Sequence, residues 1–143
     1  MKISTRGRYA IRVMLDLAEH NTGEYIPLTD VAKRQEISEK YLEAIVAMLV
    51  KNDLLTALRG KGGGYKLVKE PKEYSVASIL RVTEGSFAPV ACLEHKVNRC
   101  ERVCQCKTLK MWEGLQQVIS DYFEGISIQD LLDNSPDADN YFI

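Results

Sequence analysis

The sequence predicts a mainly α-helical chain that carries one small β-hairpin, on three observations. Apolar residues recur at helical spacing in successive short segments before residue 53, two alternating runs flank the glycine-rich stretch 60–64, and an apolar stripe about four turns long lies between Leu109 and Phe123.

The elements follow in order. Residues 3–20 read as a first helix, with Ala10, Met14, Leu17 and Ala18 on one face, and Asn21-Thr22-Gly23 stops it. Pro27 precedes a short helix, Leu28 to Gln35, with Leu28, Val31 and Ala32 as its apolar stripe. Glu36-Ile37 make a tight turn. Ser38 is a good N-cap for a third helix running to about Asn52. Its Leu42, Ile45, Val46 and Leu49 fall at i, i+3, i+4 and i+7, a core-facing seam. Strands are expected at Leu55–Arg59 and Tyr65–Val68 around the Gly60–Gly64 turn. After Pro71, Ser75 caps a fourth helix, Val76 to Glu84, with Val76, Ile79 and Leu80 inward. Residues 86–107 lack periodicity and read as an ordered or ligand-organised loop. A long helix follows from Thr108 to Glu124, with the stripe Leu109, Trp112, Leu115, Ile119, Tyr122 and Phe123, and Ser127 to Leu132 add one more helical turn. The tail 135–143 is expected to be loose.

A chain of 143 residues, 45% hydrophobic and 27% charged, is of ordinary globular composition. No run approaches the ~20 apolar residues of a membrane span, and the N-terminus has no apolar leader core, so a cytoplasmic protein is expected. The net charge of −1 is unevenly spread: residues 1–70 hold 12 Lys and Arg against 9 Asp and Glu, and the excess reverses beyond them. That permits nucleic-acid binding without requiring it.

Helix, short helix, turn, helix, hairpin is the order of a winged helix-turn-helix. Such a domain needs a helix that fits the ~12 Å major groove while its back face is buried. With the Leu42–Leu49 seam inward, Ser38, Glu39, Lys40 and Glu43 face out near the helix start. Lys40 suits phosphate or guanine, Ser38 suits phosphate through its hydroxyl, and Glu43 can accept from a cytosine amino group. A carboxylate is costly beside phosphates, so Glu43 favours sequence reading over generic attachment. On an isolated helix these charges would be no more than a solvated surface. The neighbouring Arg59-Gly60-Lys61 shifts the balance, because it sets two cations on a glycine turn whose backbone can approach a phosphodiester closely. It is not a nucleotide-binding P-loop, since no Gly-Lys-[Ser/Thr] ending or following helix is present.

All four cysteines fall between Cys92 and Cys106, spaced Cys92-x7-Cys100-x3-Cys104-x-Cys106. In a reducing compartment such a group points to metal or redox chemistry more than to structural disulfides. Thiolates so close in chain can converge on iron or zinc; the missing Cys-x2-Cys pairs weigh against zinc.

Ser4-Thr-Arg-Gly-Arg-Tyr-Ala10, Ser38-Glu-Lys-Tyr-Leu-Glu43, Leu58-Arg59-Gly60 and Gly62-Gly-Gly-Tyr65 resemble the Rrf-two family of bacterial winged-helix regulators, over roughly residues 1–134. The resemblance implies base and backbone contacts from Ser38, Lys40, Tyr41 and Glu43, with Arg59 of the wing entering the minor groove beside Lys61. It also implies a homodimer joined by the long C-terminal helix and a pseudo-palindromic operator in double-stranded DNA. Cys100-x5-Cys106, followed by Lys107-Thr108-Leu109 and Trp112, looks like the second and third cluster cysteines of the family's iron-sulfur branch, with Cys92 as the first. Leu109 stands where that branch carries a histidine ligand. The fourth ligand is open among Cys104, His95 and a group from the other subunit. An iron-sulfur cluster, 2Fe-2S in type, is the implied cofactor.

The chain therefore divides into a winged helix-turn-helix DNA-binding domain (1–85), a cysteine-bearing cluster segment (86–107), a dimerisation helix with a C-terminal turn (108–134) and a flexible tail (135–143). The expected function is a cluster-modulated transcription repressor, not an enzyme, acting on iron-sulfur assembly, iron or sulfur genes. Two family alternatives are a cluster-free regulator of cysteine metabolism working through a partner protein, and a nitric-oxide sensor. The latter would be expected to have an acidic residue at the position of Arg8. A small zinc or redox enzyme lacks any recognisable pocket signature.

Overall fold

The computed structural model describes residues 2–134, so the tail expected to be loose lies outside the described residues. Within that range the chain folds as α1 (Thr5–Glu19), α2 (Leu28–Gln35), α3 (Glu39–Lys51), β1 (Leu55–Leu58), β2 (Gly64–Leu67), α4 (Val76–Glu84), α5 (Leu109–Glu124) and α6 (Ile128–Asp133). The mainly helical fold with an antiparallel hairpin is the one expected, and its departures are local. Ser4 is extended and caps α1, accepting from the Gly7 amide at 3.0 Å, so the helix starts at Thr5 rather than residue 3. In the hairpin, Leu55 faces Leu67 and Leu58 faces Gly64. Arg59 thus belongs to the turn, and Gly64 to the second strand.

Capping explains why α3, α4 and α6 begin where they do. Ser38 accepts from the Tyr41 amide at 3.2 Å, and Ser75 from the Ser78 amide at 3.0 Å. Ser127 and Asp130 form a reciprocal capping box that turns the expected single turn into the six-residue α6. The turn from α2 to α3 passes through Glu36 in the left-handed region at φ 55°, which ends α2 abruptly and buries Ile37 behind α3.

One apolar core joins Ala10, Val13, Met14 and Leu17 of α1 to Val31 of α2, to Leu42, Ile45, Val46 and Leu49 of α3, and to Leu55 and Leu67 of the hairpin. Ile128 of α6 is fully buried in the same core, so the chain returns to its N-terminal half after α5. A second cluster sets Val76, Ala77, Leu80 and Phe87 against Ile119 and Phe123 of α5. The apolar stripe expected on α5 is therefore two faces. Ile119 and Phe123 turn inward, while Met111, Leu115, Val118 and Tyr122, at i, i+4, i+7 and i+11, are exposed.

The core also holds one carboxylate. Asp16 of α1 is 1% exposed and receives Arg34 Nε at 3.1 Å, Arg34 Nη2 at 2.8 Å and Gln35 Nε2 at 2.9 Å. Burying a carboxylate is expensive unless charged donors replace its water, and here three N–H groups from the end of α2 do so. The same contact raises the Arg34 pKa above its ordinary value, keeping the guanidinium charged. The pair fixes α2 across α1 and so sets where α3 begins.

Replacing Asp16 with Ala should lower unfolding stability by roughly 2–4 kcal/mol, because three N–H donors lose a buried partner. Urea unfolding with an unchanged m-value checks this; a loss under about 1 kcal/mol would mean that the apolar contacts alone hold α2.

Candidate nucleic-acid interface

The outer face of α3 is built by its inner one. Leu42, Ile45, Val46 and Leu49 are each no more than 1% exposed, which anchors the helix and leaves Ser38, Glu39, Lys40, Tyr41 and Glu43 in solvent at its leading turn. Ser38 uses an oxygen lone pair for its cap, so its hydroxyl proton is still free to donate. Tyr41 is 40% exposed and meets Tyr9 of α1 edge-on, with ring centroids 5.6 Å apart. Arg12 lies 5.2 Å over the Tyr9 ring, and its Nε donates to Gln35 Oε1 at 3.1 Å. The Tyr41 ring is thus held in place by α1 before any ligand arrives, a buttress that periodicity could not reveal.

Periodicity alone also passed over Ala44 and Ala47, exposed one and two turns further along the same outer surface. Small side chains there leave the helix axis free to approach a groove wall, and alanine suits a thymine methyl. Their signal was available: both lie opposite the Leu42–Leu49 seam.

The wing stands beside this face. Arg59, Gly60 and Lys61 are all exposed at its tip. Gly60 has φ +92°, and the Gly63 amide closes the turn onto the Gly60 carbonyl at 3.0 Å. At Gly64 an added Cβ would lie 2.1 Å from the Ile26 carbonyl oxygen, so only glycine lets Ile26 and Tyr65 exchange their two 2.9 Å backbone hydrogen bonds. This bridge ties the start of α2 to the hairpin. Between α3 and the wing lies an open cleft of about 670 Å³, lined by Thr29, Glu39, Ala47, Lys51 and Arg59 among others. All the expected DNA-contact residues, Ser38, Lys40, Tyr41, Glu43, Arg59 and Lys61, are solvent-exposed on these two elements.

The cysteine segment is different. It contains two single 3-10 turns, Ala91–Leu93 and Val103–Gln105. Cys92 is half-buried, and Cys100, Cys104 and Cys106 are exposed free thiols. The donors suit iron or a cluster in their chemistry but not in their placement. Among the described residues no three His, Cys, Asp or Glu side chains are gathered around a point where a metal ion could sit. Leu109, half-buried at the start of α5, offers no ligand atom. One thiol is nevertheless distinct. Thr108, through its hydroxyl 3.4 Å from Cys106 Sγ and then its backbone amide, lowers the Cys106 pKa, with smaller help from the Leu109 amide and the Arg102 charge.

Comparison with known proteins adds context. Residues 3–134 match the model of the Rrf2 family, described as iron-dependent transcriptional regulators. The HTH-type transcriptional regulator IscR of Aliivibrio salmonicida is 36% identical over 132 residues, spanning 92% of this chain and 77% of that relative. Among solved structures, CymR, the global cysteine regulator of B. subtilis, superposes with a TM-score of 0.75 at 29% identity, covering 95% of this chain and 99% of that one. T. potens IscR superposes with a TM-score of 0.73 at 31% identity, covering 99% and 97%.

A lowered pKa means that thiolate is already present at lower pH. In the metal-free protein, alkylation of Cys106 should therefore gain rate with a midpoint below that of the same thiol without its Thr108 contact. Thr108→Val should move that midpoint upward, as followed by mass spectrometry; an unmoved midpoint would contradict the Thr108 contact.

Proposed function

The chain belongs to the Rrf2 family, DNA-binding transcription regulators rather than enzymes, and from that premise we propose that it is a cytoplasmic repressor that reads a pseudo-palindromic operator as a homodimer. The observation that carries this reading is the exposed leading turn of α3 lying beside a glycine-tipped wing on a rigid core. In this arrangement α3 enters the major groove. Ser38 and Lys40 contact phosphate or guanine, Glu43 accepts from a cytosine amino group, and Tyr41 is braced by Tyr9 against the groove wall. Arg59 and Lys61 follow the adjoining backbone, with Arg59 turned into the minor groove. The exposed face of α5 supplies the dimer contact: Met111, Leu115, Val118 and Tyr122 form an apolar seam that a second copy would bury, and a two-fold seam doubles the half-site. Among the described residues no helix is long and apolar enough to cross a membrane.

Regulation through residues 86–107 completes the reading. The density of thiols supports an iron-sulfur cluster, 2Fe-2S in type, held by Cys92, Cys100 and Cys106 with a fourth ligand from Cys104, His95 or the other subunit. Because no three such donors are gathered among the described residues, such binding needs a rearranged loop. A ligand there can shift DNA affinity only as far as it prefers one arrangement over the other. The likeness to CymR, a cysteine regulator, favours a second reading: a cluster-free regulator of cysteine metabolism that answers to a partner protein. Iron and sulfide assays on anaerobically purified protein separate the two. Stoichiometric iron and sulfide, lost when Cys100 or Cys106 becomes Ala, supports the cluster; colourless protein without either supports its rival.

On a duplex selected from a random pool, Glu43→Ala should relax preference at one base pair, by about 1–3 kcal/mol of discrimination, while leaving affinity for random DNA nearly unchanged. Arg59→Ala should weaken binding and reduce the salt slope by about 1. Equal losses on selected and random duplexes for Glu43→Ala, or an unchanged slope for Arg59→Ala, would contradict the assigned contacts.

A further inference from the structure

Tyr74 is the largest fully buried side chain among the described residues, at 1% exposure, and none of the contacts assigned above uses it. Its phenol oxygen accepts from the Val68 amide at 2.8 Å and the Lys69 amide at 3.0 Å, and donates to the Leu54 carbonyl at 2.8 Å. The hairpin ladder ends at the pair Leu55 and Leu67, so its next rung would join Leu54 to Val68. The hydroxyl stands in for that rung at the root of the wing, where the strands diverge. The backbone of the same residue faces the other way. The Tyr74 carbonyl accepts from the Ile128 amide at 2.9 Å, the Val76 amide donates to the Ile126 carbonyl at 2.8 Å, and Ser75 pairs with Ser127 as an antiparallel bridge. Those contacts bind the connection between α5 and α6.

One residue thus links the wing, through its side chain, to the segment that follows α5, through its main chain. The position of α5 is itself fixed to α4 just downstream: Arg81 pairs with Glu124, donates to Ser120 Oγ at 2.9 Å and lies 5.3 Å over the Phe87 ring. Resting on the DNA-binding reading above, we infer that Tyr74 is a positioning residue that sets the angle of the wing relative to α5, and so delivers Arg59 to the groove in register with α3. A hairpin of two four-residue strands is marginal alone and takes its orientation from what clamps its open end. Here the clamp is a hydroxyl whose proton and both lone pairs are in use.

The test is Tyr74→Phe, which keeps the ring and removes only the clamp. Amide exchange in the wing, residues 55–67, should rise about tenfold while the α1 and α3 amides keep their rates. Affinity for the selected duplex should fall about tenfold, and in an Arg59→Ala background the same change should cost less than about twofold, because the wing contact it serves is already gone. An unaltered wing, a uniform rise in exchange over the whole domain, or an equal tenfold loss in the Arg59→Ala background would overturn the inference. The unaltered protein offers a check that needs no variant. The Val68 and Lys69 amides, though their residues are exposed, should exchange as slowly as the ladder amides, and fast exchange there would also overturn it. Should the wild-type protein prefer no duplex at all, the functional reading fails, while the exchange measurements still decide whether Tyr74 clamps the wing.

Discussion

What the outer face of α3 can do depends on its inner face being immobile. Four apolar side chains, Leu42, Ile45, Val46 and Leu49, are removed from water almost completely, each contributing on the order of 1.5–3 kcal/mol. The cost of holding a recognition surface in one geometry is met by that burial rather than by the surface residues themselves. Lys40, Glu43 and Ser38 can consequently remain solvated until a ligand replaces the water around them. Asp16 adds direction to this anchorage. By fastening the end of α2 to α1 it fixes the turn that launches α3, and Arg12 carries the same brace on to Tyr9 and Tyr41.

The wing is held by different means. Its tip is glycine-rich because the backbone must turn there at positive φ, and its root is held both by Leu55 and Leu67 in the core and by the hydrogen bonds of Tyr74. The two halves of the proposed interface are therefore held differently: α3 is bedded along its length in the core, while the hairpin is anchored at its open end and at the Ile26–Tyr65 bridge.

Much of this was legible in the chain itself. Periodicity located α2, α3 and α4 to within a residue, because those helices are set by local apolar spacing and, at α3 and α4, by a capping Ser hydroxyl next to it. The hairpin was legible from its glycines, apart from the shift that moves Arg59 into the turn. What sequence could not show was long-range. Asp16 lies among apolar neighbours on α1, and nothing local says that Arg34 will meet it. Tyr74 looks like any aromatic after a turn until Leu54, Val68 and Ile128 converge on it. On α5 a single stripe was expected, yet two faces emerged, since which residues turn toward Phe87 depends on how α4 packs. The cysteines were legible as a group of donors, but spacing along a chain does not decide whether side chains converge, and among the described residues no three donors do.

The most direct test of the central claim is site selection by the purified, unmodified protein from a random duplex pool at physiological salt. The account predicts enrichment of a two-fold symmetric motif, bound at least about 10³-fold more tightly than scrambled competitor. A pool that stays random through successive rounds would contradict it.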